Sequence, residues 1–381
     1  MIYLDQAATS WPKPSTVVQA MTECLTQGVA NPGRGSYPLA LESGRRVVHV
    51  REQAAAFFGL NDPSHVIFTS SCTEALNIVL WGALWEGDHI VFSSLEHNAV
   101  ARTAETLRKR GLEVSIVSCD PETGVDYDDI MEAIRPNTKM LLWTHGSNVF
   151  GTVFDLVQLG RLAKEFGLIF MVDAAQTAGF FPIDMEAMQI DYLACSGHKS
   201  LYGPQGVGLL LIRRNIPMLE PWSSGGTGSF SEELDMPEVL PDRLEAGTLN
   251  TPGIIGLGAA FDFLEERGLE HIREHDLELI HYLHQHISPL DKVTVYGPAL
   301  GAPRAPVLSF NIGYQDSNWV ALQLARRWDI AVRAGLHCAP LAHRSAGTLS
   351  AGAVRASVGV FNTMAEIEAL VQAVEQLSKE S

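Results

Sequence analysis

Between residues 66 and 212 the chain alternates two hydrophobic habits. Short apolar runs recur, and each is followed by a longer stretch whose apolar positions return every three or four residues. The runs Val66–Thr69, His89–Ser93, Val114–Val117, Lys139–Trp143 and Leu168–Val172 predict strands. The stretches Ala75–Leu84, Asn98–Arg110, Tyr127–Ile134 and Val157–Phe166 predict helices. Strands alternating with helices of this length predict βαβ units, an α/β fold and a mostly parallel mixed sheet. In such sheets ligands sit outside the carboxyl ends of the strands. Thr73, His97, Asn148, Asp173 and Lys199 all fall just past such ends.

The flanks read differently. Residues 1–35 are irregular, with a loop at Asn31–Gly35, except for a helix expected over Ser15–Gln27 after the start signal Pro14-Ser15. Leu39–Phe57 predicts a second helix. Periodicity fades over Pro217–Leu249, a long connection of the kind that carries function. Its Gly225-Gly226-Thr227-Gly228 is not a dinucleotide fingerprint, since no strand precedes it. Helices at Ile254–Arg267, Leu269–Ile287, Asn318–Trp328 and Met364–Leu377, with strands at Val293–Tyr296, Val307–Ile312 and Val354–Val358, predict a small α+β unit. The expected division is a large domain over 15–252 and a small one over 253–381, completed by residues 1–14.

Composition narrows the function. The chain has 381 residues, 46% of them hydrophobic, more than the roughly 250–300 residues at which a single core stops growing. No apolar run approaches the ~20 residues of a membrane span, and Met1–Asp5 lacks the pattern of a secretory signal. A cytoplasmic protein is expected. With 27 basic and 44 acidic residues the net charge is −17, which argues against a nucleic-acid surface. The five cysteines, Cys24, Cys72, Cys119, Cys195 and Cys338, form no CxxC pair, so neither a disulfide framework nor a structural zinc site is expected. His337, Cys338 and His343 together lack a fourth metal ligand. Glycine, proline and histidine around Cys338 predict an exposed loop in which a thiolate could react.

The chemistry centres on Ala194-Cys195-Ser196-Gly197-His198-Lys199, read as a strand end and a tight exposed turn holding one lysine. A nucleophilic lysine must be partly desolvated. Asp173 ends a strand, where it could cap the next helix or pair with a protonated ring nitrogen. Ser70–Glu74 could be an ordinary helix cap or could hold a phosphate on free amides and the Thr73 hydroxyl. His97 could cap or stack, and could serve as acid or base. Together these describe pyridoxal 5′-phosphate (PLP) on a lysine.

Tyr3–Thr9, Phe68–Asn77, Glu96-His97, Ser147–Thr152, Val172–Gln176, Ser196–Lys199, Arg243–Thr248, Arg333–Pro340 and Arg355-Ala356-Ser357 occur in the order seen in the class V aminotransferase-fold enzymes. The chain resembles that family, of PLP-dependent fold type I, and within it the cysteine desulfurases and selenocysteine lyases, in the SufS-like branch. The resemblance implies that Lys199 carries the cofactor and Asp173 faces its ring nitrogen. It implies that Gln176 bonds the ring hydroxyl, that His97 stacks on the ring and carries protons, that Thr73, Ser196 and His198 hold the phosphate, and that Cys72 is among the cofactor-binding residues. It assigns Thr248 to the phosphate of a neighbouring subunit, hence a homodimer, and Asn148, Arg355, Arg333 and Ala7 to the substrate amino acid. Cys338 becomes the nucleophile that takes sulfur from L-cysteine as a persulfide, leaving L-alanine, and passes it to a protein acceptor. Iron–sulfur cluster assembly, tRNA thiolation and a cofactor pathway all stay open as destinations. Two rival readings are a selenocysteine lyase or other class V aminotransferase or lyase that does not use Cys338, and a non-catalytic sulfur carrier. The chain departs from the branch at Leu336, where a second histidine is common, at Gln6 for a frequent asparagine, and in the extra residue of Ser200-Leu201.

Overall fold

The computed structural model describes residues 1–33 and 35–380. Arg34, in the loop expected at 31–35, lies outside them. Seven strands form one sheet in the order Val66–Thr69, Gly208–Ile212, Tyr192–Ser196, Ile169–Asp173, Thr138–Thr144, His89–Ser93, Glu113–Val117. Six share a direction, and Gly208–Ile212 runs against both its neighbours.

Side chains along each strand alternate between two cores, as the pleat demands. Val91, Leu141, Trp143, Phe170, Val172, Leu193 and Leu211 face one core. There they meet Val47, Val50 and Ala54 of the helix Pro38–Phe57, Leu159 of Leu156–Glu165, and Ile254, Leu257 and Phe261 of Thr251–Arg267. Ile90, Phe92, Leu142, Met171, Tyr192 and Leu210 face the other, against Leu76, Val79 and Leu80 of Cys72–Ala83 and Val100 and Leu107 of Asn98–Arg108. Helices therefore cover both faces, which is why these strands read as unbroken apolar runs.

A four-stranded antiparallel sheet, ordered Arg333–Gly335, Ala353–Ser357, Val307–Ile312, Val293–Tyr296, follows in the C-terminal part. Leu279, Leu283, Leu324, Leu370 and Val374, from three helices, pack with it in a third core. The start of the chain is tied here too. Ile2–Tyr3 pairs in parallel with Ile330–Ala331, and Asp5 bridges to Ser357.

Among the short elements that escape the sequence pattern are the strands Ile2–Tyr3 and Arg333–Gly335, the 3-10 turn Pro63–His65 and the helix Pro340–Ser345. None is long enough to display a period. The helix expected from Ala75 begins at Cys72, because Ser71 caps it by accepting from Glu74 N at 3.2 Å. Residues 213–250 carry no regular helix or strand. No helix among the described residues is long and apolar enough to cross a membrane.

Candidate active site

The lysine turn is not the exposed loop its sequence suggests. Ser196 and Gly197 are buried and Lys199 is half-buried. The cover comes from the far end of the chain. The His198 carbonyl accepts from Ser10 N at 2.9 Å, Ser10 Oγ at 3.1 Å and Lys13 Nζ at 2.9 Å. Burial lowers the pKa of Lys199, against the raising pull of Asp173. The same effect draws Lys13 down to about 8. Burial disfavours the charged form of an amine, which is the direction a nucleophile or base requires.

Lys199 opens into a cavity at the ends of the strands. Thr73, His97, Asn148, Asp173, Gln176, Ser196 and His198 line it beside Cys72, so the strand-end residues meet as the topology expects. Gly208 allows this closeness: a β-carbon there would lie 2.5 Å from the Ser71 carbonyl carbon and 2.9 Å from Cys72 N.

Each member is held by identifiable contacts. Asp173, at the end of its strand, accepts from Ala175 N at 2.9 Å and from the Cys72 thiol at 3.5 Å. Burial, then Asp173, pushes the Cys72 pKa up, so this thiol stays protonated and acts as a donor. His97 caps its helix, with Nδ1 accepting from Ala99 N at 3.1 Å. Burial lowers its pKa, so the neutral ring carries its proton on Nε2. Capping and a role in the cavity coexist, because they use different atoms. Gln176 donates to the Ala7 carbonyl at 3.1 Å, and Ala7 N donates to Ser357 Oγ at 2.9 Å.

The donor set fits PLP. Asp173 brings a carboxylate to the cavity. The first amides of Cys72–Ala83 have no acceptor within the helix, Thr73 and Ser196 bring hydroxyls, and His198 has a buried Nδ1 without a partner. Phosphate suits such a helix start. Burial, Lys199 and Lys13 draw the His198 pKa down to about 4.

Of the residues expected to meet the substrate, Asn148 lines the cavity, and Arg355, Arg333 and Ala7 are not among its lining residues. Arg355 is 1% exposed. It donates to the Asn148 carbonyl at 2.9 Å and to Asp5 Oδ1 at 2.6 Å, and its buried Nε has no partner. Asp5 is the residue whose part the sequence did not reveal. Arg333 Nη2 lies 3.6 Å from Cys338 Sγ. Cys338 is exposed and the other four cysteines are buried. Its side chain does not line the cavity, but its backbone is fastened there: Asn98 N donates to Cys338 O at 2.7 Å, and Asn148 Nδ2 donates to His337 O at 2.8 Å. Among the described residues no group of three or more His, Cys, Asp or Glu is placed to share a metal ion.

Thr248 stands apart. It is exposed, accepts from Asn31 Nδ2 at 3.3 Å, and lines a different cavity, with Thr69, Ser70 and Glu74. It does not reach the lysine of its own chain.

Residues 2–370 match the model of the aminotransferase class-V family. A probable cysteine desulfurase of Methanothermobacter thermautotrophicus is 37% identical over 99% of this chain and 94% of its own length. A cysteine desulfurase of Escherichia coli is 34% identical over 100% of this chain and 94% of its own. The apo structure of a cysteine desulfurase from Thermococcus onnurineus superposes with a TM-score of 0.92 at 33% identity, covering 100% of this chain and 95% of that one.

Proposed function

The chain belongs to the class-V aminotransferase family as a PLP-dependent cysteine desulfurase, and we propose from that premise how its residues divide the reaction. L-Cysteine enters with its carboxylate toward Arg355, whose unpartnered Nε offers a donor. Asn148 borders the same space. PLP, held by Lys199, Asp173, Gln176, His97 and the phosphate donors Cys72, Thr73, Ser196 and His198, supplies an electron sink for charge released at the substrate Cα. Lys199, whose pKa burial lowers, takes the Cα proton. His97 presents its Nε2–H to the substrate.

Cys338 then attacks the substrate sulfur. A sulfur–sulfur bond forms and the substrate Cβ–S bond breaks. The electron pair stays on Cβ, which takes up a proton to become the methyl group, and Lys199 returns its proton to Cα to give L-alanine. The Arg333 guanidinium steadies the sulfur at 3.6 Å. The persulfide on an exposed thiol is accessible to a protein acceptor. Thr248, turned away from its own lysine, suits the phosphate site of a second copy in a homodimer, which light scattering after gel filtration would register.

The supporting observation is the pair of hydrogen bonds, from Asn98 N to Cys338 O and from Asn148 Nδ2 to His337 O, that fixes the thiol loop on the rim of the lysine cavity. Incubation with L-cysteine followed by mass spectrometry should find equimolar alanine and a persulfide on Cys338. Cys338→Ser should keep the cofactor and lose sulfur release. Undiminished release from that variant would refute the assignment.

A further inference from the structure

Beneath the Cys338 loop lies a hydrogen-bond chain that the reaction does not use. His337, the residue before the nucleophile, is 3% exposed and His343 is fully buried. Their rings stack at 15° with centroids 5.5 Å apart. His337 Nδ1 lies 3.3 Å from His343 Nε2, His337 Nε2 lies 3.4 Å from the Arg333 carbonyl, and His343 Nδ1 lies 2.8 Å from Thr348 Oγ1.

The Arg333 carbonyl sets the direction of the whole chain, because it can only accept. His337 Nε2 therefore carries the proton and His337 Nδ1 is an acceptor. His343 Nε2–H donates to it, and His343 Nδ1 accepts from the Thr348 hydroxyl. Every position is filled with both rings neutral. Burial lowers the pKa of His337 to about 2 and of His343 to about 4, so neither gains a proton near neutrality. The chain cannot pass protons to the reaction, but it can hold a shape.

The shape needs holding. His337 and Cys338 have φ of 49° and 57°, left-handed values that cost a non-glycine residue roughly 1–2 kcal/mol. His343 comes from the helix Pro340–Ser345, just beyond the loop, and its ring also lies 5.7 Å from that of Phe150.

We propose that His343 is a positioning residue: anchored by Thr348, it fixes the His337 ring and so keeps the strained turn that carries Cys338 at the cavity rim. This rests on Cys338 being the nucleophile. It assigns His343 no contact with substrate or cofactor.

The test uses the PLP-loaded enzyme and the variants His343→Phe, which keeps the stack without hydrogen bonds, His343→Gln, which keeps a donor toward His337, and Thr348→Val. His343→Phe should lower kcat for alanine formation by at least about tenfold, in keeping with the cost of a misplaced reacting group. KM for L-cysteine and the absorbance change on cysteine binding should not move. Hydrogen exchange over residues 335–340 should accelerate. Thr348→Val should show the same signs more weakly, and His343→Gln should recover most of the loss. Wild-type kcat or unchanged exchange in His343→Phe overturns the proposal, as does an equal loss in His343→Gln. If His343→Phe fails to fold, wild-type kcat and exchange in Thr348→Val overturn it. Full desulfuration by Cys338→Ser, with exchange altered as expected in His343→Phe, would instead overturn the nucleophile assignment and leave the loop contacts standing.

Discussion

The carboxylate of Asp5 holds Arg355 Nη2 at 2.6 Å, across 350 positions of sequence. Nη1 is spent on the Asn148 carbonyl, and Nε alone is left unpartnered. The guanidinium is thus oriented before substrate arrives, and its plane is set by two anchors on different elements.

Arg355→Lys removes that fork and keeps the charge. A hydrogen bond between charged groups contributes about 1.5–3 kcal/mol, so KM for L-cysteine should rise by roughly 10- to 150-fold. Asp5→Asn should move KM the same way by less, since it loosens the anchor and spares the arginine. Steady-state alanine formation reads both.

Asp173→Asn keeps the shape of the side chain and removes its charge. Electrostatic partners of a reacting system typically account for about 10²–10³ in rate, and a loss of that order is expected in single-turnover alanine formation. Cofactor should also leave the variant faster on gel filtration. The Cys72 thiol can still donate to the amide oxygen, so melting temperature should change little.

Arg51 and Glu245 form a buried, two-point ion pair at 2.8 Å and 2.8 Å, and Glu245 also accepts from Phe68 N at 2.6 Å. Glu245→Ala strands a buried guanidinium, which costs about 3–5 kcal/mol. Thermal unfolding should show a lower midpoint, and the double variant Arg51→Leu/Glu245→Leu should regain part of it.

Buried histidines make the protein acid-sensitive. Burial draws His145 down to about 3 and His343 down to about 4, from 6.5. The unfolded chain takes up protons that the folded one refuses. Their contribution is therefore intact above pH 6.5, falls as pH drops toward 4, and levels off below about 3. The slope is at most about 1.4 kcal/mol per pH unit for each histidine. Melting midpoints measured from pH 7 to 4.5 should fall, and His145→Gln should flatten the fall.

Much of this was legible in the chain, for physical reasons. The strands Val66–Thr69 and His89–Ser93 have their predicted bounds, because a sheet covered on both faces demands apolar residues at every position. That Thr73, His97, Asn148, Asp173 and Lys199 meet in one cavity was legible because each lies at or just past the end of such a strand. What could not be read is contact across long sequence separations. The cover over Lys199 comes from residues 10 and 13, and Arg355 finds its partner at Asp5. Neither leaves a local pattern. Thr248 shows the reverse limit, since its motif was plain while its place in one chain is remote from the lysine.

The clamp on the His198 carbonyl has a consequence for biosynthesis. Residues 2–13 leave the ribosome long before the segments they rest on, the turn at 198 and the strands at 330 and 357. This segment is thus made before the segments it rests on and is seated only after them. Until it docks, the His198 carbonyl lacks the donors from Ser10 and Lys13 that hold the turn beside Lys199.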